Sequence, residues 1–218
     1  MYINREDAGT QLGQALEPIK PHRPILLGIP RGGVEVGFYA ARHLDCDFDT
    51  IVVRKLGYPQ QPEAAFGALA EDGSLYLDPW SDKYLNKEII QEVIKKEQQE
   101  IQRRIKKYRL GNKFPSLSGR VVVLVDDGIA TGATVFAALL MCRKQSPQKL
   151  IVAAPISGLN KLSKLEHEAD EVIIPEKHQQ FTAVSQGYRD FPNLSDEEVL
   201  HFMQLWRSQK AGKLEPPR

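Results

Sequence analysis

Apolar positions along the chain fall into two rhythms, one at helical spacing and one in short unbroken runs. Behind Asn4, a residue type that caps helix starts, Ala8, Leu12, Leu16 and Ile19 recur every three or four residues. This predicts a short amphipathic helix that Pro18 and Pro21 close. Pro24-Ile25-Leu26-Leu27-Gly28-Ile29 is continuously apolar, as in a strand buried on both faces, and a glycine-rich turn and helical stretch follow to about Leu44. Phe48 to Val53, Val121 to Val125, Leu150 to Ala154 and Glu171 to Ile174 read as four further strands, most of them separated by helical segments. Buried strands alternating with helices predict an α/β fold with a parallel sheet covered by helices on both faces, because parallel strands need crossover connections. Ligands in such sheets bind beyond the carboxyl ends of the strands. Chemistry is therefore expected in the turns after Ile29, Val53, Val125 and Ala154.

Two regions break the alternation. From Leu56 to about Asp82 the chain is rich in Gly, Pro and Ala, and Glu71-Asp72-Gly73-Ser74 between short apolar runs suggests a hairpin turn. A long charged helix follows from about Leu85 to Tyr108, with Leu85, Ile89, Val93, Ile101 and Ile105 on one stripe and Ile90 and Ile94 beside it. Its charges read as a solvated face. Residues 56–110 together look like an insertion in one domain spanning 1–205. Beyond Ile174, the segment from Phe181 to Phe191 concentrates aromatics in polar surroundings. Ser195-Asp196-Glu197-Glu198 then caps a final helix, and the tail, 206–218, is expected to be disordered from Lys210.

Composition narrows the function classes. The 218 residues are 42% hydrophobic and 26% charged, ordinary for a globular chain, and the net charge of +1 gives no general pull toward nucleic acid or anionic membrane. Cys46 and Cys142 each sit in or beside apolar sequence and read as reduced thiols. The start turns polar at once and no run approaches a membrane span, so cytoplasmic residence is expected. His22, His43, His167, His178 and His201 show no metal-ligand spacing.

The segment that carries chemistry begins where the strand Val121 to Val125 delivers Asp126-Asp127. Gly128-Ile129-Ala130-Thr131-Gly132-Ala133-Thr134 follows and leads into an apolar helix. Small residues and hydroxyls at a helix start leave backbone N–H groups unpaired and let an anion come close, which suits phosphate. The two carboxylates cannot favour that phosphate by charge; neutral hydroxyls or a cation beside it are their natural partners. A phosphorylated sugar supplies both.

The stretch from Val122 to Thr134 resembles the phosphoribosyl pyrophosphate (PRPP) signature of type I phosphoribosyltransferases. Gly28-Ile29-Pro30-Arg31-Gly32-Gly33 resembles the pyrophosphate loop of the same family. The likeness runs from about residue 4 to 205. It looks closest to a bacterial group of phosphoribosyltransferases of unassigned substrate. It implies a Rossmann-like sheet with a small hood at about 175–194. It also implies that Asp126 and Asp127 hold the ribose 2- and 3-hydroxyls, that Ala130 through Thr134 cradle the 5-phosphate, and that Pro30, Arg31, Gly32 and Gly33 grip pyrophosphate. Family loops of this kind often hold a non-proline cis peptide, expected here near Arg31-Gly32. Arg54-Lys55 at the exit of the second strand would add positive charge to the cleft. The hairpin with Tyr58 and Ala64-Ala65-Phe66-Gly67 stands where the family keeps a mobile loop over PRPP. Phe181 or Tyr188 in the hood could stack on a flat acceptor.

The resemblance further implies Mg²⁺, carried mainly on PRPP oxygens and water and touched by Asp126 and Asp127 through water, with a homodimer possible. Two departures stand out. Members acting on 6-oxopurines usually carry an acid where this chain has Ala130, which argues against hypoxanthine or guanine. Gly128 replaces a commonly apolar residue and should make the loop more pliable. The expected activity is transfer of the 5-phosphoribosyl group of PRPP to a nitrogenous base with release of pyrophosphate, with catalysis centred on Arg31, Asp126 and Asp127. The alternatives are a PRPP- or nucleotide-sensing regulator that binds RNA or DNA, which near-neutral charge disfavours, and a phosphatase using Asp126 as nucleophile.

Overall fold

The structure, a computed structural model, describes residues 1–79, 81, 85–179 and 181–214. The first helix, α1 (Arg5–Ala15), starts where the sequence predicts, with the Asn4 side chain accepting from the Asp7 N–H at 3.0 Å. A 3₁₀ turn, Glu17–His22, then takes in Pro18 and Pro21. The strand β1 (Ile25–Gly28) leads through a tight turn into α2 (Gly32–Leu44) and on to β2 (Asp47–Thr50). Later come β6 (Val121–Val125), α4 (Ala133–Arg143), β7 (Lys149–Ala153), β8 (Ile156–Gly158), α5 (Leu159–Glu168), β9 (Glu171–Ile173), β10 (Glu176–His178) and α6 (Asp196–Leu214). Between β2 and β6 lie β3 (Val53–Tyr58), β4 (Gln61–Ala70), β5 (Leu75–Leu77) and α3 (Lys87–Arg109). No helix among the described residues is long and apolar enough to cross a membrane.

Five strands form an all-parallel sheet in the order β2-β1-β6-β7-β9, the architecture expected from the alternating pattern. Side-chain alternation sorts the core into two layers. Leu26, Val123 and Val125 pack with α1, α2, α3 and α6, whereas Leu27, Val122 and Leu124 pack under α4 and α5. The helices α1 and α2 lie unusually close. A Cβ on Gly9 would come within 2.6 Å of the Val36 carbonyl oxygen, so only glycine admits that crossing. Both cysteines are buried and free, and burial pushes their thiols up to about 12.

Several expectations need correction. The apolar run from Phe48 to Val53 is not one strand. The chain leaves the main sheet at Thr50, whose hydroxyl donates to the Gly28 carbonyl at 3.0 Å beside the Ile51 N–H at 3.1 Å. It re-forms as β3 in a separate antiparallel sheet, β3-β4-β5. The β4–β5 turn falls on the predicted Asp72-Gly73, with Gly73 at φ +86°. The end of the predicted stretch, Asp82, lies outside the described residues. The final helix starts with the expected box, in which the Ser195 hydroxyl accepts from the Glu198 N–H and Glu198 accepts from the Ser195 N–H. It continues to Leu214, past the predicted start of the tail, and residues 215–218 lie outside the described set.

Nor are all charges of α3 solvated. Arg104 and Arg109 are buried. Arg109 Nη2 donates to both Glu71 carboxylate oxygens, at 2.6 and 2.7 Å, and to the Thr50 carbonyl at 3.1 Å. One ion pair thus ties the end of α3, the β4–β5 turn and the edge of the main sheet together. Burial pushes the Glu71 carboxyl up, with Arg109 opposing it. Removing one partner of a buried pair strands the other charge. Glu71→Ala should therefore lower unfolding stability by about 3–5 kcal/mol, as read from urea denaturation; a loss within experimental error would show that the pair carries no such burden.

Candidate functional site

The first and third strands of the parallel sheet end side by side, and their two following turns make one cavity. The Ile29 N–H donates to the Val125 carbonyl at 2.8 Å, so the turn after β1 is tied to the end of β6. On the other flank the Ile129 N–H donates to the Ile156 carbonyl at 2.9 Å. The cavity between them measures about 270 Å³, and its wall includes Pro30, Arg31, Gly32, Lys55 and residues 126–132 with Thr134. The hood closes one side: β8 and β10 pair in parallel, and a 3₁₀ turn, Val184–Gly187, sits over them.

Asp126 and Asp127 form the acidic floor. Asp126 Oδ1 accepts from the Asp127 N–H at 2.9 Å, and its Oδ2 has the Thr134 hydroxyl at 3.4 Å. Burial, then the neighbouring charge of Asp127, pushes the Asp126 carboxyl well above the usual range. Burial also raises Asp127, against the pull of Arg5. Arg5 Nε donates to Asp127 Oδ2 at 2.8 Å, and Lys55 adds a weaker attraction on both acids. A cavity with Arg5, Arg31 and Lys55 on its wall against two carboxylates has a positive balance suited to a polyanion.

The anion end is built by the backbone. Gly132 stands at φ +77° as the residue before α4, a conformation natural to glycine. The first bond within α4 runs from the Phe136 N–H to the Gly132 carbonyl at 2.9 Å. Helix geometry therefore leaves the N–H groups of Ala133, Thr134 and Val135 facing out at the positive end of the helix dipole. Opposite them Gly32 lies so close to the acids that a Cβ would fall 1.7 Å from Asp127 Oδ2. Gly33 is also too close for a side chain, with a Cβ position 2.5 Å from the Val125 carbonyl oxygen. A cis peptide is present in this loop, at Pro30-Arg31, one bond earlier than the sequence suggests.

The structure brings Pro30, Arg31, Gly32, Lys55, Asp126, Asp127, Gly128, Ile129, Ala130, Thr131, Gly132 and Thr134 to one cavity wall. It separates Arg54 from them. Neighbouring residues on a strand point to opposite faces, and on β3 Lys55 reaches the cavity while Arg54 Nε donates to Glu97 on α3 at 2.7 Å. The acceptor residues also need correction. Tyr188 is 5% exposed, its ring 5.7 Å from that of Tyr2 and 4.8 Å from that of Phe191, and its hydroxyl donates to the Asp127 carbonyl. It is a packing residue with no face to offer. Phe181 packs against the same small cluster and does not line the cavity. Gly128 is not there for pliability: a Cβ would meet Val184 Cγ1 at 2.5 Å, so the residue is the seat on which the hood rests.

Sequence reasoning missed Arg5 and the wall residues Val184, Phe191, Asn193 and Leu194. Nothing local marks Arg5, which reads as the first residue of an amphipathic helix. It reaches the site because Tyr2 and Ile3 zip onto the hood, with the Tyr2 N–H donating to the Gly187 carbonyl at 2.8 Å and the Arg189 and Asp190 N–H groups donating to Tyr2 and Ile3.

A divalent metal would find limited purchase on side chains. No group of three or more His, Cys, Asp or Glu side chains able to hold a metal occurs among the described residues. Asp126 Oδ2, whose contact with the Thr134 hydroxyl is long, remains able to accept from a water in a metal's shell. The donor set fits a magnesium ion held chiefly by a ligand's own oxygens and by water.

A profile of the phosphoribosyl transferase domain matches residues 7–186. Two Mycobacterium tuberculosis strains contain a protein named "Putative phosphoribosyl transferase" that is 42% identical over 205 residues, 93% of this chain. The chain spans about half the length of those curated relatives, 46%. The crystal structure of TT1426 from Thermus thermophilus superposes with a TM-score of 0.79 at 36% identity, covering 94% of this chain and 99% of that one. With a parallel sheet, an acidic floor and an open helix start in one cavity, and with that match over most of its length, the chain belongs to the phosphoribosyl transferase domain family.

Proposed function

We propose that the chain transfers the 5-phosphoribosyl group of PRPP to a nitrogenous acceptor and releases pyrophosphate. One observation carries this reading: two adjacent carboxylates and the open amides of α4 share a cavity with Arg31 and Lys55. That set has a place for every part of the ligand. The amides of Ala133, Thr134 and Val135 take the 5-phosphate. Asp126 and Asp127 accept hydrogen bonds from the ribose hydroxyls. Arg31 and the glycine backbone beside it hold the pyrophosphate, and Lys55 adds charge. Mg²⁺, bound by PRPP oxygens and reached by Asp126 and Asp127 through water, would neutralise the departing pyrophosphate.

The reaction breaks the C1–O bond to pyrophosphate and forms a C1–N bond, through a transition state with positive charge on the ribose. The carboxylates at the diol stabilise that charge, and Arg31 stabilises the leaving group. Val184, Phe191 and Leu194 form an apolar wall that limits water near the sugar, and Asn193 offers both a donor and an acceptor to a heterocycle. Ala130 supplies no proton acceptor, which favours an acceptor whose nitrogen is nucleophilic without a protein base.

Two outcomes test the reading. In a screen of nucleobases and related heterocycles with magnesium and PRPP, at least one should yield pyrophosphate; none doing so, with PRPP also left intact, would remove the transferase assignment. Asp126→Asn should lower that release on the order of a hundredfold while stabilising the metal-free protein. The folded carboxyl is raised above its unfolded value, so ionising it costs stability. The cost is complete above the folded value and vanishes below the unfolded one. At neutral pH the melting temperature should therefore rise by about 2–4 °C for relief on the order of 1 kcal/mol, and the gain should fade as the pH falls toward the ordinary carboxylate range. A melting temperature that drops at neutral pH would contradict it.

A further inference from the structure

We propose that Arg5 is a positioning residue for the ribose site: its guanidinium fixes the Asp127 carboxylate so that it discriminates for a sugar hydroxyl. The inference rests on the reading that the cavity takes a ribose 5-phosphate, and goes beyond it by assigning a residue outside both ligand loops.

Four observations carry it. Arg5 is itself held on several sides. Its side chain is 5% exposed, Nη1 donates to the Pro192 carbonyl at 2.8 Å, and Cζ lies 3.8 Å from the centre of the Phe191 ring. The guanidinium fork thus faces the hood with one arm and Asp127 with the other, a division a single ammonium cannot reproduce. The bond from Nε to Asp127 Oδ2, at 2.8 Å, then fixes which way that oxygen of the carboxylate faces. Glycine at position 32 leaves room for that pair and for nothing more, since a Cβ there would stand 1.7 Å from Asp127 Oδ2 and 2.9 Å from Arg5 Nε. The Asp127 backbone is held from the same side, by the Tyr188 hydroxyl on its carbonyl.

The plainer role for Arg5 is that of an ion-pair partner keeping a half-buried acid in the fold. Glu35 Oε2 lies 3.9 Å from Arg5 Nη1, so of the two carboxylates near Arg5 it is Asp127 that receives the directed hydrogen bond. The two roles differ in what they do to ligands. Loss of a structural ion pair weakens every ligand of the cavity alike. Loss of a positioned carboxylate weakens only ligands that carry the hydroxyl it reads.

Calorimetry with ribose 5-phosphate and its 2-deoxy and 3-deoxy analogues separates them. The native protein should prefer ribose 5-phosphate over one or both analogues by about tenfold or more, the worth of one charge-assisted hydrogen bond. In Arg5→Gln the preference over one analogue should collapse to within about twofold, because ribose 5-phosphate loses the positioned contact as well as the one cavity charge whose loss it shares with that analogue. Retention of the full preference, or an equal loss for ribose and deoxy ligands, overturns the proposal. If Arg5→Gln does not fold by circular dichroism, Arg5→Lys, which keeps the charge without the fork, decides. A preference reduced below native at unaltered deoxy affinity supports positioning, and an unchanged preference overturns it. Absence of any hydroxyl preference in the native protein is a different failure, visible before any variant is made. It removes the ribose assignment and this inference with it.

Discussion

Two carboxyl groups forced side by side at the buried end of β6 are the constraint around which the rest of this molecule is arranged. A strand of five apolar residues brings Asp126 and Asp127 out at the sheet's carboxyl edge, where burial raises both carboxyl groups and the charge of Asp127 raises Asp126 further. Stability alone would favour losing one of them. The fold instead answers the charge with Arg5 in direct contact and Lys55 across the cavity, and it places the positive end of α4 a few residues further on. Acids retained under such conditions mark a site where charge is used.

The answer comes from far along the chain. Arg5 belongs to the first helix, Gly32 and Gly33 to the turn after β1, Lys55 to the inserted sheet, and Val184 and Leu194 to the hood region. What makes them neighbours is close approach of backbone. Gly32 and Gly33 lie against the acids and the end of β6, Gly128 lies under Val184, and Gly187 lies on Ile156, each at a distance that a Cβ would violate. The N-terminal segment completes the arrangement by pairing with 187–190 in main-chain hydrogen bonds, which brings the start of the first helix, and with it Arg5, against Asp127.

The sequence displayed the parts of this whose physics is local. A short unbroken apolar run bounded by turn residues reads as a strand buried on both faces, and an Asp-Asp pair followed by small residues at a helix start suits hydroxyls and an anion by local chemistry alone. Caps at Asn4 and Ser195 and the turn at Gly73 were legible for the same reason. Illegible were the features set by distant partners. Thr50 ends β2 by bonding Gly28, which splits a run that reads as one strand. Arg109 is buried because Glu71 meets it, and Tyr188 is a packing residue because Tyr2 and Phe191 surround it. Arg5 carries no local signal at all; its role exists only once 187–190 hold the chain that precedes it.

On the proposed reading, the phosphate of a phosphoribosyl ligand rests on the amides at the start of α4 while its diol meets Asp126 and Asp127. A crystal structure of the chain soaked with magnesium and PRPP measures this directly. The account predicts 5-phosphate oxygens within about 3 Å of the N–H groups between Thr131 and Val135 and ribose hydroxyls at similar distance from the two carboxylates. A ligand bound with its pyrophosphate on those amides, or a cavity that stays empty while the ligand binds elsewhere, would contradict it.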